Sequence, residues 1–188
     1  MMMQADKEPS ISFPTIFKVE NITVKTAATR YELNPTLSVN TSFIVKLRFC
    51  VNSIIRGNIV IIDIALQESA DSTSYDKIFT LDFNTSKQLR ISIKNKIGNE
   101  VVKSEVLYVL NLNTLYDFEF FYDAENKTSK VSLFEDVNGG INKVVDVTYN
   151  IEYANYDWDY ISLGGRANSS ATLNGQIQYD SIEIQQES

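Results

Sequence analysis

Along most of this chain apolar side chains recur at every second position, the period of a pleated strand with one buried side. The stretch "SFIVKLRFCV" sets Phe43, Val45, Leu47, Phe49 and Val51 on one side and Lys46 and Arg48 on the other. "KIFTLDF" opposes Phe79, Leu81 and Phe83 to Thr80 and Asp82, and "QLRISIKN" repeats the pattern with Leu89, Ile91 and Ile93. The polar "NTSK" between them predicts a turn. In "TLYDFEFFYDAENKTSKVSLFED", Tyr116, Phe118, Phe120 and Tyr122 alternate with Asp117, Glu119 and Asp123 before the chain turns through Asn126 towards Val131 and Leu133, which predicts a hairpin. "GNIVIIDIAL" is apolar on both faces, as a strand in the middle of a sheet would be. "KVVDVTYNIEY" and "DWDYISLGG" supply further strands, the first introduced by "NGG" at 138–140, a type I′ turn signal. "EVVKSEVLYVLNL" has the spacing of a short amphipathic helix, but its β-branched content favours a strand.

The last stretch, "ISLGGRANSSATLNGQIQYDSIEI", places Gly164 and Gly165 where the chain leaves a strand and Gly175 where it re-enters one. Glycine there serves geometry, through positive φ or close backbone approach. No helix pattern follows and no lysine stands in place, so these glycines do not form a phosphate cradle. Within the final run Ile177 and Tyr179 lie out of phase with Ile182 and Ile184, which predicts a bulge near Asp180.

These elements predict an all-β chain folded as a two-sheet antiparallel β-sandwich. A tail at residues 1–9 precedes one domain at 10–188. From about residue 40 to 184 the order "FTLDF" with "QLRISIKN", then the Tyr116–Leu133 hairpin, then the closing stretch around Tyr179, Asp180, Ile182 and Ile184, resembles the concanavalin A-like jelly rolls of the laminin-G and pentraxin type. A different jelly roll, such as the galactose-binding-like carbohydrate modules, ends in similar strands and stays open at this point. The resemblance implies a lectin-like domain and allows a calcium ion held by loops at one rim, with Asp157, Asp159, Asp123 and Asn126 as candidate ligands. Glycoside hydrolases also use this fold, with carboxylates spaced along one strand as Glu-x-Asp-x-x-Glu, and that spacing is absent here.

Composition narrows the chemistry further. The 188 residues include no histidine, which excludes Ser-His-Asp and Cys-His catalysis and every imidazole-dependent zinc site. Cys50 is the single cysteine and reads as a small hydrophobe on a strand rather than a reactive thiol. A formal charge of −7 without a Lys/Arg block argues against nucleic acid as a partner. The longest apolar run, "IVIIDIAL", is too short to span a bilayer and carries Asp63, so no membrane partner is expected. The opening "MMMQADKEPSISF" lacks the basic and apolar regions of a secretory signal, which leaves a virion or extracellular surface, or another location, equally open.

What remains is recognition. Sugar rings stack on exposed aromatic side chains flanked by amide and carboxylate groups. The densest such segment is "YANYDWDY", which nominates Tyr153, Asn155, Tyr156, Asp157, Trp158 and Asp159. Because Trp158 and Tyr160 share a strand parity, part of this aromatic set is expected to face the core. The expected function is therefore a non-catalytic, lectin-like module that binds a glycan or a protein surface, with no required cofactor. The alternative is a structural subunit, such as a decoration, fibre or shell protein of a viral or cell-surface assembly, for which a homo-oligomer is the natural state.

Overall fold

A computed structural model describes residues 12–25, 29–55, 57–65, 77–94, 101–151, 153, 157–164 and 175–188. They form twelve strands: β1 (Thr15–Val24), β2 (Thr29–Ser38), β3 (Phe43–Ile54), β4 (Asn58–Ala65), β5 (Lys77–Asn84), β6 (Gln88–Lys94), β7 (Val101–Val109), β8 (Leu115–Asp123), β9 (Thr128–Val137), β10 (Gly140–Asn150), β11 (Asp157–Leu163) and β12 (Gly175–Gln186). Two six-stranded sheets result, one ordered β1-β12-β3-β8-β9-β10 and the other β2-β11-β4-β5-β6-β7, with every described pairing antiparallel. The segment with mixed helix and strand signals is β7, as its β-branched residues favoured.

The period-two pattern becomes the core. On β3 and β8 the inward side chains Phe43, Val45, Leu47, Phe49 and Tyr116, Phe118, Phe120, Tyr122 are buried, and they meet Ile62, Ile64, Leu81, Phe83, Leu89, Ile91 and Ile93 of the opposite sheet in one cluster. Each such side chain contributes about 1.5–3 kcal/mol relative to exposure. Phe17 of β1 packs edge-on against Tyr31 of β2 at 5.4 Å between ring centroids, and Tyr149 of β10 hydrogen bonds to Glu105 of β7. Aromatic contact closes one long edge of the sandwich and a polar contact the other.

Irregularities fall where the alternation broke. β12 shifts register between Tyr179 and Ser181, the expected bulge near Asp180, so Tyr179 and Ile182 both point inward. A second shift on β4, between Val60 and Ile62, lets the consecutive Ile61 and Ile62 both be buried. The Tyr179 hydroxyl donates to the Ile61 carbonyl and so ties the two bulges together across the sheets. Asn138 (φ 55°) and Gly139 (φ 82°) are both left-handed, the geometry of the type I′ turn that joins β9 to β10. Gly175 has a different reason for being glycine: a Cβ there would lie 2.1 Å from the Ser53 carbonyl oxygen and 2.4 Å from Ile59 Cδ1. The predicted tail at residues 1–9, and Gly165 with the loop that follows it, lie outside the described residues.

Candidate functional site

The segment nominated by sequence divides between the core and the surface. Trp158, on β11 opposite Leu37 of β2, is 1% exposed, and Tyr153 is 4% exposed with its ring edge-on to Tyr122 at 4.9 Å. Neither ring offers a face to a sugar, so the stacking role expected of them is corrected: both are core aromatics. Burial holds the Tyr153 phenol far above its usual pKa, so it stays neutral. Trp158 and Tyr160, which alternation alone would place on one side, do not share a side, for a local reason. Between Trp158 and Tyr160 the register against β2 jumps from Leu37 to Glu32, so the two residues no longer share a face. Ile161 and Leu163 face inward, which turns Tyr160 and Ser162 outward. Asp157 is exposed, Asp159 is half-buried, and Asn155 and Tyr156 lie outside the described residues.

The four candidate calcium ligands do not come together. Asp123 and Asn126 meet in the turn between β8 and β9, where the Asn126 backbone N–H and side-chain amide donate to the two carboxylate oxygens of Asp123 at 2.9 and 2.7 Å. These hydrogen bonds, the side-chain one first, hold the Asp123 carboxyl below its usual pKa. An amide that donates its N–H groups inside a closed turn is a cap on that turn, while Asp157 and Asp159 stand on β11 of the other sheet. Among the described residues no group of three or more Asp, Glu or Cys side chains is placed to hold a metal ion. Asp123 also lines a rim groove of about 440 Å³ with Phe13, Ser42, Phe121, Glu125 and Glu187. Cys50 is half-buried, and burial, then the Asp180 carboxylate, pushes its thiol up, away from the reactive thiolate.

The outer face of the sheet β2-β11-β4-β5-β6-β7 carries what the sequence reading missed. In direct register across its six strands stand Arg30, Ser162, Asp63, Thr80, Ser92 and Ser104, a row with no apolar member. The row beside it, Leu163, Ile62, Leu81 and Ile91, is fully buried and faces the core, so the polar row belongs to the outward side. Yet Asp63 is 1% exposed and Ser162 is 2% exposed. The outward side is thus closed to solvent at these two residues of β11 and β4, while on β7 Val106 is 47% exposed.

A second outward row sets Val60, Asp82, Arg90 and Val106 side by side. Arg90 donates from Nε at 2.8 Å and from Nη2 at 2.7 Å to Asp82 Oδ1. On β11 Tyr160 stands between Glu32 and Ala65 in register. Aromatic ring, buried carboxyl, hydroxyls and a braced guanidinium therefore share one face. Part of this was visible in the sequence, since Thr80, Asp82, Arg90 and Ser92 occupy the polar parity of their strands. Asp63 was noticed only as an interruption of an apolar run.

The outer face of the other sheet is of a different kind. Arg48 is surrounded by Asp117 (2.6 Å), Asp136 (3.0 Å) and Asp180 (3.7 Å), drawn from three neighbouring strands. Ser132 and Lys143 likewise bond to Asp146. These partly exposed groups satisfy one another on the surface itself, as a solvated charge lattice does.

No family model and no curated protein matches the chain. Among solved structures the match is one of fold, and the fold is the concanavalin A-like jelly-roll sandwich. The carbohydrate-binding module CBM40 of the Ruminococcus gnavus IT-sialidase, bound to α2,3-sialyllactose, superposes with a TM-score of 0.62 at 12% identity and covers 91% of each chain. Peanut lectin, with a bound nonapeptide, gives 0.52 at 14% identity over 97% of this chain and 94% of its own. The Trypanosoma rangeli sialidase in complex with sialic acid gives 0.59 at 11% identity over 88% of this chain, which spans only 25% of the sialidase's length. Structural neighbours thus include a carbohydrate-binding module and a lectin as well as a sialidase.

Proposed function

We propose that the protein is a non-catalytic glycan-binding module whose ligand lies on the outer face of the sheet β2-β11-β4-β5-β6-β7. The observation that carries this reading is the polar outward side of that sheet, where half-buried Thr80, Asp82, Arg90, Ser92 and Tyr160 stay within reach of a ligand beside the sealed Asp63 and Ser162. A carboxyl in the centre of a strand stabilises a fold less than an apolar residue of similar size would. Asp63 itself is sealed and touches no ligand; it keeps the middle of the outward side polar. Tyr160 offers a ring beside the row, Thr80 and Ser92 offer hydroxyls, and the Asp82–Arg90 pair offers acceptor and donor together. The likeness to a carbohydrate-binding module and a lectin supports the same reading. Nothing among the described residues favours an assembly subunit over it.

The test is a glycan microarray followed by calorimetric titration of the best ligand. Tyr160→Ala is expected to weaken binding about two- to tenfold, the loss of one ring stack at roughly 0.5–1.5 kcal/mol, while leaving the fold intact. Arg48→Ala, on the opposite face, is expected to leave affinity unchanged. Binding that survives Tyr160→Ala and is lost with Arg48→Ala would move the site to the other sheet, and an array without any ligand would remove the reading.

A further inference from the structure

We infer that this face selects uncharged sugars and rejects sialylated ones; the inference rests on the glycan-binding reading and names the ligand class for that site. A sialic acid carboxylate needs a cation whose charge is not already opposed, preferably two converging on it. Arg90 stands on β6, next to the edge strand β7, and Asp82 binds it through both Nε and Nη2 on one oxygen. The other cation of the face whose side chain is described, Arg30, stands on β2, four strands away from Arg90 on β6, roughly 19 Å at the usual strand spacing. The two guanidinium groups therefore do not converge.

Carboxyl groups also outnumber cations among the described residues of this face. Asp63 lies one strand from Thr80 in the central row, Asp82 sits beside Arg90, and Glu32 flanks Tyr160. A chain of net charge −7 adds a long-range repulsion of the same sign. An anionic sugar would bring a further carboxylate to a guanidinium whose charge Asp82 already opposes, while facing these groups.

A neutral sugar meets no such obstacle. One hydroxyl of a vicinal diol can donate to the Asp82 carboxylate while its neighbour accepts from Arg90 Nη1, a use of the pair that keeps the ion pair in place. Val60 and Val106 flank the pair in the same row and suit the C–H side of a sugar ring. Asp82 thus acts both as a sugar acceptor and as the group that cancels the charge of Arg90.

The experiment compares matched oligosaccharides with and without a terminal sialic acid, lactose against sialyllactose among them, on the wild type and on Asp82→Asn. The wild type is expected to bind at least one neutral member of a pair about tenfold or more tightly than its sialylated partner, as loss of a charge-assisted hydrogen bond predicts. Asp82→Asn is expected to lower neutral binding and to raise sialylated binding, because it leaves the guanidinium of Arg90 unopposed. A wild type that prefers the sialylated members overturns the inference and leaves the glycan reading standing. A folded wild type that binds neither class overturns both. Neutral preference unchanged in Asp82→Asn overturns the role given to Asp82.

Discussion

Trp158 and Tyr160 are two residues apart in one strand, yet one is sealed in the core and the other is half-exposed on the face proposed to bind sugar. The difference comes from the register break against β2, where the chain advances from Glu32 to Leu37 while β11 advances two residues. Trp158 also carries a buried indole N–H with no hydrogen-bond partner among the described residues. Trp158→Ala is therefore expected to cost about 3–5 kcal/mol of stability through the cavity it leaves. Trp158→Phe should cost clearly less, because it also removes an unsatisfied donor worth about 1–3 kcal/mol. Denaturant unfolding measures both, and the folded fraction of either variant should keep its glycan affinity. A selective loss of binding at full stability would restore Trp158 to the site.

At the scale of elements, the closing strand explains why glycine precedes an alternating run. Gly175 enters β12 so close to β3 that its missing side chain makes room for the Ser53 carbonyl, and the bulge after Tyr179 then re-phases the strand so that Ile182 and Ile184 also reach the core. Gly175→Ala brings a Cβ against backbone, where side-chain adjustment cannot relieve it. The expected loss is at least about 2 kcal/mol, towards the upper end for overpacking, and thermal unfolding would register it. Wild-type stability in that variant would show that β3 and β12 can separate there at little cost. The glycines and the bulge were legible as interruptions of a period. That Gly175 is required by contact with β3 was not, because the close approach is made by a residue more than a hundred positions away.

For the whole molecule, the absence of histidine leaves few groups to titrate near neutrality. Stability is expected to be nearly flat from about pH 6 to pH 9. On the alkaline side Tyr116, Tyr149, Tyr153 and Tyr179 have phenol pKa values raised chiefly by burial. A raised phenol favours the protonated folded state, so this contribution is complete below the unfolded value near 10 and is lost as the pH rises past it. Tyrosinate absorbance should therefore appear together with unfolding. On the acid side Asp123, held down by Asn126, and Glu183, held down first by the Thr15 hydroxyl, contribute stability above about pH 4 that disappears as the pH falls below it. A midpoint that drifts steadily between pH 6 and 9, or tyrosinate that forms in the intact fold, would contradict this account.

The strands from β3 onward, the β8–β9 hairpin, the type I′ turn and the bulge near Asp180 were determined by the sequence itself, because alternation and left-handed turn residues are local properties of the chain, whereas β1 and β2, which the alternation did not mark, were not. Lateral order was not. Arg30, Asp63, Thr80, Ser92 and Ser162 come from five strands spread over more than a hundred residues, and only the pairing of those strands sets them in one row. The aromatic segment Tyr153–Tyr160 was found by composition, but which of its rings faces sugar and which faces the core was decided by one register shift, since a strand that slips by a residue turns every following side chain to the opposite side.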